Sequence, residues 1–309
     1  MAAIDVSVII VSWNTREYLH NCLTSIYDET DGVLFEVIIV DNASHDGSAN
    51  MVRTEFPQVV LIKNGENRGF AAANNQGMKV AQGRYLLLLN PDTLVRDGAV
   101  QKSVAFADEN ASCAVVGIRN EFVDGSLQRN CFCFASVFNL LVSAIGLHEA
   151  FPGSHFWGRE RLTWWDYGST RNVDCVAGCY MLVRRTAVNL VGAMDETYFM
   201  YGEEMDWCWR FHHNGWTVLY YPGARVVHYG GAASSQNAAA MRIAHRKSLL
   251  RFIEKRQGRV AGILARAILA ISGLLRLVYW MFRGMIGSGA ARRHSRQKIR
   301  QAVTMAFGY

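Results

Sequence analysis

The sequence predicts an α/β fold with a mostly parallel sheet covered by helices on both faces, followed by amphipathic C-terminal helices. Three observations carry this reading. Four short apolar runs fall within the first 100 residues, as expected of strands buried on both faces. Helix-period stretches separate them, giving β-α-β-α-β-α-β order. The charge then changes sign along the chain. Residues 1–241 hold 17 Lys/Arg against 25 Asp/Glu, whereas residues 242–309 hold 15 Lys/Arg against the single acid Glu254.

Val6–Ser12 is the first strand. A helix follows, with Thr15 as its expected N-cap and Tyr18, Leu19, Cys22, Leu23 and Ile26 on one face. Phe35–Val40 is the second strand, ending in Asp41-Asn42. Ser44 and Asp46 are cap-type residues opening a short helix to about Phe56. Val59–Lys63 is the third strand, Gly69–Ala81 a helix rich in Ala and Asn, and Arg84–Leu89 the fourth strand, ending at Asn90-Pro91-Asp92. Further on, Cys113–Gly117 and Val176–Val183 read as strands. The stretch between them, with Trp157, Trp164 and Trp165, reads as an acceptor-side loop or as buried aromatic packing. Ala187–Gly192, then a helix Glu203–His213 closed by Gly215, and a strand pair near Thr217–Tyr221 and Arg225–Tyr229 complete the body.

The boundary is expected near residue 235, with 1–235 as the α/β body and 236–309 as a basic, apolar, helical tail. The longest charge-free run in the tail is Ala267–Leu275, well short of the roughly 20 residues a spanning helix needs. Arg259, Arg266, Arg276 and Arg283 fall within a sector of roughly 120° on a helical wheel, and Leu, Ile, Val, Trp280 and Phe282 fill much of the rest. Such a helix lies on an anionic membrane surface, or it packs on the body with solvated Arg. The basic end from Arg292 to Arg300 adds electrostatic pull.

Composition excludes several classes. Half the residues are hydrophobic and 19% are charged, which excludes a disordered chain. Seven Cys at scattered positions, none in C-x-x-C, exclude a disulfide framework or zinc module. The first apolar run is too short for a secretory leader, so a cytoplasmic setting is expected. No nucleic-acid partner is expected, because the tail interleaves its cations with large apolar residues. A sugar-nucleotidyltransferase would want a Gly-rich loop after the first strand, and Ser12-Trp13-Asn14-Thr15-Arg16 has no Gly.

Four clusters can carry chemistry. Asp41, at a strand end, is suited to accept from a nucleobase N–H or a ribose hydroxyl, or to cap a turn. Asn67-Arg68-Gly69-Phe70 with Asn74 and Asn75 offers Arg68 to a phosphate, or to solvent. Asp92, behind the stiff Pro91 turn, suits a hard divalent cation, which typically takes one or two carboxylates plus substrate phosphates. Glu203, Glu204 and Asp206 at a helix start satisfy the helix dipole, or supply a general base. Downstream, His228 before Gly230-Gly231 is a ligand candidate or a core histidine.

In order, VSVIIVSWN (6–14), FEVIIVDNASHDGS (35–48), NRGFAAANNQG (67–77), RYLLLLNPDT (84–93), YFMYGEEMDWCWRFHHNGW (198–216) and HYGG (228–231) resemble the inverting glycosyltransferases of family 2, and most closely their rhamnosyltransferase-like branch. The resemblance covers roughly residues 5–235 and implies the GT-A (Rossmann-like) nucleotide-sugar-binding fold. It implies that Asp41 contacts the nucleotide, with Asn14, Asn42, Arg68 and Asn74 completing the nucleotide-binding set. It makes Asp92 the last acid of a D-x-D motif that binds Mg2+ or Mn2+ on the donor diphosphate, with His228 completing that site. Glu204 takes the position of the catalytic base, with Glu203 and Asp206 as the other candidates.

Two positions depart from the pattern. D-x-D is Asn90-Pro91-Asp92, so one carboxylate is an amide, and the base motif is Glu203-Glu204. The expected activity is metal-dependent, inverting sugar transfer from a nucleotide-diphosphate donor, dTDP-rhamnose favoured and UDP-linked sugars open. The expected acceptor is a lipid-linked saccharide at the cytoplasmic face of the inner membrane, in cell-surface polysaccharide synthesis, with the protein peripherally bound. Asn90 keeps a catalytically inactive, membrane-bound scaffold as the alternative.

Overall fold

The computed structural model describes residues 3–286; the basic stretch from Arg292 to Arg300 lies outside them. The chain divides into two compact units. The first comprises the residues up to Phe134 together with Trp165–Ala238, and the second comprises Ala135–Trp164 with the residues from Ala239 onward.

The first unit is built on one large sheet. Strands β1 (Val6–Ser12), β2 (Phe35–Asp41), β3 (Val60–Lys63) and β4 (Tyr85–Leu89) alternate with helices α1 (Arg16–Glu29), α2 (Ser48–Glu55) and α3 (Phe70–Val80), as the apolar runs predict. After β4 come β5 (Thr93–Arg96), α4 (Ala99–Glu109), β6 (Cys113–Glu121) and the short β7 (Leu127–Gln128) and β8 (Cys131–Phe132). The second unit then contributes α5 (Val137–Ala144) and α6 (Leu147–Ala150). The chain returns through β9 (Arg171–Asn172), β10 (Cys175–Val176), β11 (Tyr180–Arg184), α7 (Arg185–Val191), α8 (Glu203–His213) and β12 (Thr217–His228). The tail forms α9 (Ala238–Gln257) and α10 (Arg259–Ile286).

Strand order is β3-β2-β1-β4-β11-β6-β12-β5, with β7 on β6 and β9 on β12, while β8 and β10 pair separately. The β3-β2-β1-β4 half is parallel; β11 and β5 enter antiparallel. The sheet is thus mostly parallel, as expected. Side chains alternate along β1. Val6, Val8 and Ile10 join one core with Leu19, Leu23 and Ile26 of α1. Ile9 faces α3, whose Ala and Gly residues allow close approach: a Cβ on Gly77 would lie 2.5 Å from Ile9 Cγ2.

Four local details differ from the sequence reading. The expected strand pair at 217–229 is one strand, β12, with a register break between Tyr221 and Arg225. Pro222 and Gly223 sit at that break, so the turn-like dipeptide bends the strand without ending it. Thr15 makes no side-chain cap to α1; Asp46 caps that helix from the neighbouring loop, its Oδ2 accepting the Arg16 N–H at 2.8 Å. The same carboxylate accepts the Ser48 N–H of α2 at 3.0 Å. Burial raises the Asp46 carboxyl pKa, but these donors outweigh it and hold the group below the usual range. The strand β5 and helix α4 had no counterpart in the reading.

In the second unit α5 packs on α10. Gln257 Nε2 donates to the Ala135 carbonyl at 2.8 Å, and Arg266 pairs with Glu254 at 2.6 Å. Trp165 is buried in the first unit, stacked on Tyr167, whereas Trp157 lies in the second unit beside Phe138 and Phe156.

Gly69 is held at φ 81°, ψ 174°, where side chains are strained, and a Cβ there would meet the Phe199 carbonyl oxygen at 2.4 Å. Gly69→Ala is therefore expected to cost about 1–3 kcal/mol in backbone strain plus the displacement of Phe199. A urea denaturation midpoint no lower than that of the wild type contradicts this account.

Candidate active site

The parallel register sets Ser12 beside Asp41 and Ile10 beside Leu89. The loops after β1, β2 and β4 therefore leave the sheet at one edge, where open α/β sheets bind ligands. Asp41 ends β2 and is 2% exposed. Its Oδ2 accepts the Ser44 N–H at 3.3 Å, while its Oδ1 is buried with no hydrogen-bond partner. A buried acceptor left unpaired costs about 1–3 kcal/mol, which an incoming donor removes.

The other members of the expected nucleotide-binding set divide into two kinds. The Arg68 side chain is exposed, and its backbone N–H donates to Asn42 Oδ1 at 3.0 Å. The amide of Asn42 is turned inward: it also accepts from Asn64 at 3.0 Å and donates to Asn67 at 2.9 Å, so it shapes the 64–69 loop. Asn14, at φ 51°, ties the loop after β1 to the loop after β2, its Oδ1 accepting the His45 N–H at 2.7 Å. Asn74 is buried and donates to the Phe70 carbonyl within α3 at 3.0 Å. The side chains of Asn14, Asn42 and Asn74 are thus engaged in internal hydrogen bonds, whereas the Arg68 side chain is exposed and Asp41 keeps an unpartnered oxygen.

Asp92 and His228 meet although far apart in sequence. Strand β12 runs antiparallel to β5 with His228 opposite Thr93, and this sets His228 Nε2 3.2 Å from Asp92 Oδ1. Asp92 Oδ2 accepts the Ala232 N–H at 3.0 Å. Burial raises the Asp92 carboxyl pKa, but the hydrogen bond and charge of His228 and the Ala232 N–H outweigh it, and the group stays below the usual carboxylate range.

Gln128 orients the ring. Its Nε2 donates to the His228 carbonyl at 3.3 Å, which turns its Oε1 toward His228 Nδ1 at 2.6 Å. Nδ1 is thereby the nitrogen that donates to Gln128, and Nε2 is the one held against Asp92, where it donates to the carboxylate or, without its proton, is free to ligate a cation; Asn90 Nδ2 lies 3.4 Å from it. Among the described residues no group of three or more His, Cys, Asp or Glu could hold a metal. The site offers one carboxylate oxygen and one imidazole nitrogen. That donor set fits a divalent cation whose remaining ligands are phosphate oxygens and water.

Glu203 and Glu204 open α8 behind Tyr201 at φ 67° and Gly202 at φ 84°. Glu203 is 3% exposed and Glu204 partly so; one carboxyl oxygen of each is buried without a hydrogen-bond partner. Burial, and then the neighbouring Glu204 charge, push the Glu203 carboxyl well above the usual range. Burial also raises Glu204. Two adjacent buried carboxyls resist joint ionisation, so they titrate as a pair. Asp206 does not share this environment: it is fully buried and pairs with Arg210 at 3.0 Å. Arg210 also donates to the Val191 and Ala193 carbonyls, so Asp206 anchors α8 to the loop before it and is committed to packing.

The three groups are linked through short contacts. The Phe199 carbonyl, just before α8, accepts the Phe70 N–H at 2.7 Å, and the adjacent Gly69 carbonyl accepts from Asn42 at 3.3 Å. On the other side Asn90 N–H donates to the Cys179 carbonyl at 3.0 Å, next to Gly178, which lies against the Phe70 ring. Gln128 escaped the sequence reading. It carries no motif, and only the pairing of β7 with β6 brings it under His228.

The curated relatives include an N-acetylglucosaminyl-diphospho-decaprenol L-rhamnosyltransferase of Mycobacterium tuberculosis, 27% identical over 269 residues that cover 81% of this chain and 84% of the relative. Solved structures with the same GT-A fold include a mannosyltransferase of Pyrobaculum calidifontis in complex with GDP-Man and Mn2+. It has a TM-score of 0.57 and 17% identity, covering 99% of this chain and 87% of that one. Residues 1–349 of S. aureus TarS in complex with UDP match with a TM-score of 0.52 and 15% identity, covering 97% of this chain and 81% of that one. The pattern that describes glycosyl transferase family 2 matches residues 7–188, and the chain belongs to that family.

Proposed function

We propose that the protein is an inverting glycosyltransferase that moves a sugar, with dTDP-rhamnose the favoured donor, to a hydroxyl of a lipid-linked saccharide in cell-surface polysaccharide synthesis. The observation that carries this reading is the Asp92–His228 pair, which offers two donors and leaves the rest of a cation's shell to phosphate oxygens and water, at the sheet edge that also holds Asp41. The M. tuberculosis relative, named for rhamnosyl transfer to a decaprenol-linked sugar, supports the choice of donor and acceptor class. We assign the catalytic work to residues 1–235 and membrane contact to residues 236–309. The protein is peripheral, at the cytoplasmic face of the inner membrane.

Asp41 receives a donor from the nucleoside at its unpaired Oδ1, and Arg68 faces the diphosphate. Asp92 and His228 would hold Mg2+ or Mn2+, which would supply positive charge against the charge that develops on the leaving diphosphate. Glu204 takes the acceptor hydroxyl proton, since its partial exposure allows a substrate to reach it, while buried Glu203 retains its own proton. The acceptor oxygen forms its bond to the anomeric carbon from the face opposite the leaving group. The electron pair of the broken bond goes to the diphosphate oxygen, and the anomeric configuration inverts.

Three outcomes test this. First, dTDP or UDP with Mg2+ or Mn2+ raises the melting temperature of the wild type, and Asp92→Ala loses the metal-dependent part. Saturation at about 100-fold over Kd corresponds to about 2.7 kcal/mol. No stabilisation by any nucleotide sinks the donor site and returns weight to the inactive scaffold.

Second, Glu204→Gln lowers kcat by roughly 10²–10⁴-fold and leaves nucleotide stabilisation unchanged. Full activity in that variant removes Glu204 as the base.

Third, the raised Glu203 carboxyl favours the fold fully below the ordinary glutamate range, and that contribution is lost as pH rises through its folded-state value. Glu203→Gln cannot ionise. Its melting temperature should therefore gain on the wild type between about pH 5 and about pH 8. A constant difference across that interval contradicts the buried pair.

A further inference from the structure

Helix α10 turns most of its large apolar residues outward, although α5 and α9 of the same unit bury Leu140, Val142, Leu250, Phe252 and Ile253. Along α10 the residues turned inward are small or short: Gly262, Ala265, Leu269, Ser272 and Gly273. Those turned outward are large, with Val260, Ile263, Leu275, Val278, Phe282 and Met285 between 62% and 75% exposed. On a helical wheel these six fall within an arc of roughly 120°, opposite the sector of Arg259, Arg266, Arg276 and Arg283. By length and composition alone, Arg259–Arg283 is long and apolar enough to cross a membrane. Its arginine sector instead suits a helix lying in the interface.

Residues 135–164 show the same feature independently of the tail. Phe138, Leu141 and Ile145 follow i, i+3, i+7 spacing on and just after α5, and they are 37%, 44% and 61% exposed. Phe151 and Phe156 are each 52% exposed, and the Phe156 ring lies 5.1 Å from that of Phe138. Ring contacts join Phe138, Phe156 and Trp157, and an exposed apolar group of this kind marks an interaction surface. Charge identifies the partner. Residues 239–286 of the same unit hold ten Lys or Arg against Glu254 alone, while within 135–164 the exposed Arg159 and Arg161 are balanced by Glu149 and Glu160, so the positive charge of the unit comes from its helices α9 and α10.

We propose that residues 138–156 are a second lipid-docking element, inserting Phe138, Leu141, Ile145 and Phe156 into the headgroup–acyl boundary of an anionic bilayer. The inference rests on the membrane reading of α10 and extends it to a segment that precedes α10 by more than a hundred residues. Insertion of apolar side chains supplies the binding energy, and the cations of α9 and α10 supply attraction to anionic lipid.

The test is flotation of the full-length protein with vesicles of phosphatidylcholine containing roughly one-third phosphatidylglycerol. Ile145→Ser with Phe156→Ser is expected to weaken vesicle binding by about ten-fold or more, as is Leu275→Ser with Phe282→Ser. Ile145→Leu with Phe156→Leu should stay within about two-fold of the wild type. Loss in the tail pair with none in the 145/156 pair overturns this inference and spares the tail reading. A wild type that fails to float overturns both. Retained flotation with a dimer converted to monomer by the 145/156 pair assigns the face to a second copy of the chain and also overturns the proposal.

Discussion

The pairing of β12 with β5 is the constraint on which the candidate site depends. β5 begins at Thr93, directly after Asp92, and β12 ends at His228. Their antiparallel register leaves one place for the imidazole, over the Asp92 carboxylate. The Gly230–Ala232 turn then brings the Ala232 N–H to the other oxygen of the same carboxylate. One pairing thus orients both oxygens of Asp92. Gln128, delivered by another sheet contact, sets which imidazole nitrogen faces it.

Electrostatics divides the acids of the first unit into two groups. Asp46 and Asp92 are surrounded by donors and lie below their ordinary range. Glu203 and Glu204 are buried with too few donors and lie above theirs. A carboxylate well supplied with donors is a stable anion, and one starved of them holds a proton and releases it when the surroundings change. This separation gives acids near one edge of one sheet two different chemistries, a stable anion and a proton holder.

Much of the nucleotide half is legible in the sequence, because fully buried parallel strands must be apolar throughout and their ends must carry the polar residues. Asp41 and Asp92 stand out on that ground, and the Glu203-Glu204 pair stands out as adjacent acids at a helix start. The rest depends on partners that a linear reading does not supply. β5 is only four residues long and takes its identity from β12. Asp46 replaces Thr15 as the cap of α1 because the loop after β2 folds across the helix start. Asp206 resembles its neighbours in sequence, yet it is claimed by Arg210 one turn on. Residues 135–164 group with the tail through the packing of α5 on α10, a contact with no local signature.

The double capping by Asp46 has a consequence for binding thermodynamics. One carboxylate holds the first N–H groups of α1 and α2, and Asn14 bonds both Ser44 and His45 of the same loop. The loop is thereby fixed from two sides before any ligand arrives. The entropy of ordering it is incurred when the chain folds, and any ligand docking there meets a surface already set. Association at this edge is accordingly governed by contact enthalpy and release of hydration, and loosening of the loop is read as a faster off-rate.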